Sequence, residues 1–163
     1  INGNTFSLMD KRQELVERIE REFGICKIHI SRIDEALRGL NVPLHEETYP
    51  DLDGDSIMRL DQFIFRFSKL QDGIGGKLFR YILEWLYEDT STMSMRDILN
   101  RLERLNLIDD VESWVYIREL RNTVSHDYPL GTKEVVDSLN ELIRQVETIK
   151  NIYSRLKEVY QSK

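Results

Sequence analysis

The strongest constraint on the fold is a run of apolar residues that recurs over residues 8–40. After a first step of seven residues, every later step is three or four residues, which is the period of one face of an amphipathic α-helix. The run consists of Leu8, Leu15, Ile19, Phe23, Cys26, Ile30, Ile33, Leu37 and Leu40. We expect the charged residues outside it to form a solvated face: Lys11, Arg12, Glu14, Glu17, Arg18, Glu20, Arg21 and Glu22. Asn41 and Pro43 should end this helix.

A second helical run extends over residues 57–85 and contains three glycines, Gly73, Gly75 and Gly76. The period continues across the glycines, which favours a kink or a close approach of two helices. A phosphate-binding loop is the weaker interpretation, because no strand precedes the glycines and the Lys-Ser/Thr ending of a P-loop is absent.

The acidic segment before this run, residues 51–55, does not fit a calcium-binding loop. Counted from Asp51, Gly54 stands at the fourth position and Gln62 at the twelfth, where an EF-hand needs other residues. We therefore expect Asp55 or Ser56 to cap the helix.

Three further helices complete the pattern. One spans about Met95 to Leu105 with Ser94 as its cap, and another begins at Asp109, with Glu112 as capping-box partner, and ends near His126. The last is capped by Thr132 and carries apolar residues from Val135 to Leu156 along one side. No segment alternates with period two. The sequence therefore predicts one all-α domain over residues 1–163, an up-and-down bundle of about five helices.

Composition excludes several classes of function. The chain has 163 residues, a formal net charge of -6 and one cysteine, Cys26, which we expect to be buried. No apolar run is long enough for a membrane span, and no signal peptide is recognisable, so we expect a cytoplasmic protein. The histidines and Cys26 lack zinc-ligand spacing, so we expect neither a metal nor another cofactor. The acidic charge argues against broad nucleic-acid binding but allows a local RNA site.

One segment, Arg121 to Tyr128, contains a charged residue at a position where the helical pattern asks for an apolar one. The positions Trp114, Ile117, Arg121, Val124 and Tyr128 are separated by three, four, three and four residues. A guanidinium at such a position requires a carboxylate, a phosphate or a water-filled cleft.

His126 lies five residues after Arg121, and on the same face as Asn122. At a helix C-terminus the dipole favours the imidazolium form. A histidine can exchange protons with an RNA 2′-hydroxyl or 5′-oxygen, and an arginine can hold the scissile phosphate. From the spacing alone, a capping histidine beside a structural arginine is slightly favoured, and both interpretations stay open.

The stretch RELRNTVSHDYP resembles the HEPN superfamily, whose signature is R-x-x-x-x-H, and its extension R-x-x-x-x-H-x-Y is that of HepT toxins. The stretch FRFSKLQDGIGGKLF, residues 65–79, is similar to the second helix of such toxins, so the resemblance covers most of the chain. It implies a metal-independent endoribonuclease with Arg121 and His126 as the catalytic pair and Asn122 as a polar helper.

The resemblance further implies a toxin of a toxin-antitoxin pair that acts on RNA as a homodimer, with two motifs facing one cleft. A cognate minimal nucleotidyltransferase antitoxin would attach AMP to Tyr128 and so neutralise it. The alternative is a non-catalytic HEPN partner, a substrate-binding subunit of a small nucleotidyltransferase. We also expect Arg66, Lys69 and Asp72, on one face of the second helix, to line the cleft.

Overall fold

The fold of this chain is all-α, as the sequence predicts. The computed structural model describes residues 2–162, with side chains from residue 7 onward, and no strand occurs in that range. The helices are α1 (Asn2–Arg38), α2 (Gly54–Gly73), a π-helical turn (Ile74–Leu78), α3 (Phe79–Trp85), α4 (Met95–Arg104), α5 (Val111–Asp127), α6 (Lys133–Arg144) and α7 (Val146–Gln161), with short 3-10 turns at Tyr49–Asp51 and Tyr128–Leu130. If α2 to α3 and α6 to α7 are each taken as one stretch, five helical stretches form the packed bundle.

The buried side chains of α1 and α2 form the centre of a core to which every helix contributes. Helix α1 packs along α2, and both present the aliphatic and aromatic residues of the predicted apolar runs. Cys26 is buried, as expected. Burial raises the pKa of its thiol to about 12, and the neighbouring Glu22 carboxylate adds to that shift. None of the described helices is both long and apolar enough to cross a membrane.

The charged face of α1 departs from the expectation at Glu22. This residue is only 5% exposed, and its carboxylate lies 3.6 Å from the ammonium of Lys77. Glu22 precedes Phe23 and is four residues before Cys26, so it lies at the edge of the buried face rather than in the solvated one. At the other extreme Leu8, which begins the predicted run, is exposed.

The helix boundaries are close to the predicted ones, but three details were wrong. Asp53 caps α2, in place of Asp55 or Ser56, by accepting a 2.8 Å hydrogen bond from the Ser56 amide. Asp110 caps α5, in place of Asp109 with Glu112, through the Ser113 amide. The predicted last helix is divided at Gln145, where a turn with ψ of -5° separates α6 from α7. Ser94 and Thr132 cap α4 and α6 as expected.

The glycines after α2 permit a close approach of helices, as the sequence favours. They lie at the π-helical turn, a type of irregularity found frequently at functional sites. A Cβ atom on Gly75 would lie 2.8 Å from Cζ2 of Trp114 in α5, whereas one on Gly76 would meet nothing within 4 Å. Trp114 also packs on Phe79, with ring centroids 4.7 Å apart. Gly75 therefore lets α5 lie close to the end of α2.

This difference predicts opposite effects of two neighbouring substitutions. Gly75→Ala should lower the free energy of unfolding by about 1–3 kcal/mol, because the added methyl group overpacks against Trp114. Gly76→Ala should leave it unchanged or raise it by up to about 1 kcal/mol, through helix propensity alone. Urea unfolding followed by circular dichroism measures both. Equal effects of the two substitutions would contradict the proposed contact.

Candidate functional site

The Arg121–Tyr128 segment lies against α2 in an antiparallel arrangement. Three side-chain contacts join the two helices, and residue numbers fall along α5 as they rise along α2. They are Tyr128 Oη to Asp61 Oδ1 at 2.7 Å, Ser125 Oγ to Ser68 Oγ at 3.4 Å, and Arg121 Nη1 to Asp72 Oδ1 at 3.2 Å. The register of the motif is therefore set by polar side chains of α2.

Arg121 has the carboxylate partner that its place in the helical pattern demands. Its side chain is 18% exposed and forms an ion pair with Asp72. Its Nε atom is buried and has no hydrogen-bond partner within the described part of the chain. Most buried polar groups in folded proteins are hydrogen-bonded, so an orphaned donor calls for an explanation.

A pocket of about 220 Å³ adjoins Arg121 on the side away from His126. Arg118 and Arg121 both line it, together with Trp114 and the glycines of the π-helical turn. Gln71 also lines it, is 2% exposed, and has both amide atoms without partners among the described residues. The carboxylate of Asp72, which pairs with Arg121, lines the pocket as well, so Arg118 is the guanidinium there without an ion pair among the described residues.

His126 and Asn122 are exposed on the neighbouring face of α5. His126 is the last residue but one of the helix, as predicted. No hydrogen bond from another described residue orients its imidazole, and none joins it to Arg121. The structure thus places the two predicted catalytic side chains on one helix end and leaves His126 accessible to a ligand.

Tyr128 is the most firmly held residue of the motif. Its hydroxyl donates to Asp61, and its carbonyl oxygen accepts a 2.5 Å hydrogen bond from the hydroxyl of Tyr49 in the loop before α2. The hydrogen bond to Asp61, together with partial burial and the carboxylate charge, raises the pKa of Tyr128 above its usual value. The turn is completed by Gly131 with a φ of +62°.

The expected face of α2 is only partly correct. Asp72 contacts Arg121, but the guanidinium of Arg66 lies 3.2 Å from His29 Nδ1 on α1. His29 therefore has a partner on α2. Burial, and then the charge of Arg66, lower the pKa of His29. Lys69 lies beside the ring of Phe65 and makes no described contact with α5.

Sequence reasoning missed Asp61 and Ser68, which hold the far end of the motif. A pattern pointing to them was present, because Asp61, Ser68 and Asp72 stand seven and four residues apart on one face of α2. Over residues 7–162 the structure contains no group of three or more histidine, cysteine or acidic side chains placed to hold a metal ion.

Comparison with protein-family models, curated proteins and solved structures found no significant match for the chain. The likeness to the HEPN superfamily accordingly rests on the motif at residues 121–128, the stretch at residues 65–79 and the helical fold.

The contact between Asp61 and Tyr128 predicts a change in titration. Asp61→Asn replaces the charged acceptor of the Tyr128 hydrogen bond with a weaker neutral one and removes the carboxylate charge, so the pKa of Tyr128 should fall toward its ordinary value of 10.0. NMR of protein labelled with ¹³C at tyrosine Cζ measures it, and a Tyr128→Phe sample assigns the resonance. An unchanged Tyr128 titration in Asp61→Asn would show that the two side chains do not interact in solution.

Proposed function

We propose that this protein is a metal-independent endoribonuclease, the toxin component of a toxin-antitoxin pair. One observation supports this most directly. Arg121 is held by Asp72 with its Nε unpaired, five residues before a solvent-accessible His126 at the end of the same helix. The segment thus combines an oriented cation with a group able to transfer protons near neutral pH.

The chemistry that suits this pair is cleavage through the RNA 2′-hydroxyl. His126 accepts the 2′-hydroxyl proton as the 2′-oxygen attacks the adjacent phosphorus. Arg121 stabilises the negative charge that develops on the non-bridging phosphate oxygens. The bond from phosphorus to the 5′-oxygen breaks, and that oxygen takes up a proton. The products are a 2′,3′-cyclic phosphate and a free 5′-hydroxyl.

A second copy of the chain would complete the acid-base pair. The described site contains one exposed histidine at the motif, and no hydrogen bond fixes its protonation state for a single role. In a homodimer with two motifs facing one cleft, one histidine serves as base and the other as acid. The exposed position of His126 and Asn122 on the outer side of α5 is compatible with such a pairing.

We further propose that a cognate minimal nucleotidyltransferase neutralises the toxin by transferring AMP from ATP to the Tyr128 oxygen, with release of pyrophosphate. Esterification removes the phenolic proton, so the hydrogen bond to Asp61 is lost. The added phosphate then lies two residues from His126 and beside the Asp61 carboxylate, and these two negative charges repel each other. The modification would both crowd the catalytic histidine and disrupt a contact that holds the end of α5.

The ribonuclease proposal predicts the behaviour of two histidine variants in EDTA. His126→Ala should reduce cleavage of a mixed-sequence RNA by a factor of about 10²–10⁴, the usual contribution of a general acid-base group. The matched control is His45→Ala, since His45 is exposed in the loop before α2 and distant in sequence from the motif. Denaturing gels measure the rates, and circular dichroism confirms that both variants are folded.

Retention of cleavage by His126→Ala would disprove the assignment of the catalytic residue. Absence of cleavage by the unmodified protein, with or without metal, would instead favour the second candidate, a non-catalytic binding partner of a nucleotidyltransferase. The net charge of -6 gives that candidate its support, because an acidic surface suits a protein partner with a basic face.

The antitoxin proposal predicts a mass shift on one tyrosine. After co-expression with a candidate nucleotidyltransferase, the peptide that contains Tyr128 should gain one or more AMP units, and RNA cleavage should be lost. Tyr128→Phe should remain active and escape modification, whereas the control Tyr116→Phe, at an exposed tyrosine of the same helix, should still be modified and neutralised. Modification elsewhere, or neutralisation of Tyr128→Phe, would refute the assignment.

A further inference from the structure

Four residues lie on the face of α2 that contacts the motif, and one of them, Phe65, is apolar. Asp61, Phe65, Ser68 and Asp72 follow one another at steps of four, three and four. At 3.6 residues per turn they lie within roughly 60° of one another around the helix axis. The other three residues of this stripe contact Tyr128, Ser125 and Arg121 respectively. Phe65 therefore belongs to the stripe that faces α5.

The antiparallel register fixes the level of Phe65 along α5. It lies between Asp61 and Ser68, whose partners are Tyr128 and Ser125. The residues of α5 between those partners are His126 and Asp127. Phe65 is thus placed at the level of His126, the predicted proton-transfer residue.

The ring of Phe65 is open to solvent, although most phenylalanines of the described chain are buried. It is 54% exposed. Two cations lie beside it, with the guanidinium carbon of Arg66 5.7 Å and the ammonium of Lys69 5.6 Å from the ring centroid. Burying such a ring against another apolar surface would also desolvate both cations, which is costly. A ligand that offers an aromatic face and a negative charge satisfies all three groups.

Two carboxylates belong to the same stripe, and each has a partner on α5. Asp61 is engaged by the Tyr128 hydroxyl and Asp72 by the Arg121 guanidinium. On the other side of Phe65, Arg66 is held by His29 of α1. Neither Arg66 nor Lys69 forms an ion pair within the described part of the chain, so both cations beside the ring can bind an anion.

We propose that Phe65 is a base-stacking platform for single-stranded RNA, with Arg66 and Lys69 holding the neighbouring phosphates. This inference rests on the proposed ribonuclease function and specifies the form of its substrate. Bases of single-stranded RNA are free to stack on an aromatic side chain, whereas those of a duplex are occupied by their neighbours. A strand that stacks on Phe65 at this level would pass over the end of α5 to reach His126, which lies on the outer side of that helix.

The test measures RNA binding in the His126→Ala background, which prevents cleavage. The probe is a fluorescein-labelled, mixed-sequence 12-nucleotide RNA, followed by anisotropy. Phe65→Leu keeps an apolar side chain but removes the ring, and should raise Kd roughly tenfold. Phe65→Trp should hold Kd within about twofold of the parent, because it restores a stacking surface. Tyr87→Leu is the matched control, since Tyr87 is also exposed and lies beside a guanidinium, that of Arg12.

Salt dependence separates stacking from charge. Lys69→Gln should lower the slope of log Kd against log salt by about 0.7, the value for one phosphate contact on a single strand. Phe65→Leu should weaken binding without changing that slope. A duplex of the same sequence should compete poorly with the labelled single strand.

Three results would overturn the proposal: an unchanged Kd in Phe65→Leu, equal competition by the duplex, or a change in oligomeric state of Phe65→Leu in sedimentation. The last would show that the ring covers an interface between copies. Cleavage assays with His126 intact keep the two proposals distinct. Cleavage with the same KM in Phe65→Leu refutes the platform alone, and ring-dependent binding without any cleavage refutes the ribonuclease alone.

Discussion

The antiparallel contact between α2 and α5 is the constraint on which the candidate site depends. Gly75 lets the helices come together at one end, where Trp114 lies against it and packs on Phe79. From there the polar side chains of α2 set the positions of Arg121, Ser125 and Tyr128. Because side chains on packed helices have few alternative placements, this register determines which groups of α5 face α2 and which face solvent. His126 falls on the solvent side as a consequence.

The all-α bundle was predictable because helical periodicity is a local property, repeated in every long segment of this chain. The misplacement of Arg121 was predictable for the same reason, since one charge at an apolar position stands out against the pattern. The partner of Arg121 was not identified, because Asp72 is brought to it by tertiary packing and lies 49 residues away in the sequence. Glu22 shows the opposite error. Its charge predicts a solvated side chain, but Lys77 and the end of α2 lie against Glu22 and bury it.

Boundary errors have a separate physical origin. Asp53 and Asp55 are both good capping residues, and the choice between them depends on where the backbone first adopts helical dihedrals. Asp109 and Asp110 present the same ambiguity. The break at Gln145 leaves the apolar spacing nearly intact, so periodicity alone could not reveal it. These errors leave the candidate site unaffected, because none of them changes the phase of α2 or α5 over the contacting residues.

The overall acidity of the chain does not conflict with a local site for an anion. A net charge of -6 acts through solvent and is screened over roughly 8 Å at physiological salt. Within that distance the balance depends on which charges are paired. Asp72 is committed to Arg121, while Arg118 shares the adjoining pocket and Lys69 lies exposed on α2. A protein built in this way attracts a polyanion only where several of these groups act together. For the RNA complex proposed above, we therefore expect affinity to depend on a few local contacts, stacking on a ring among them, and not on a broad basic surface.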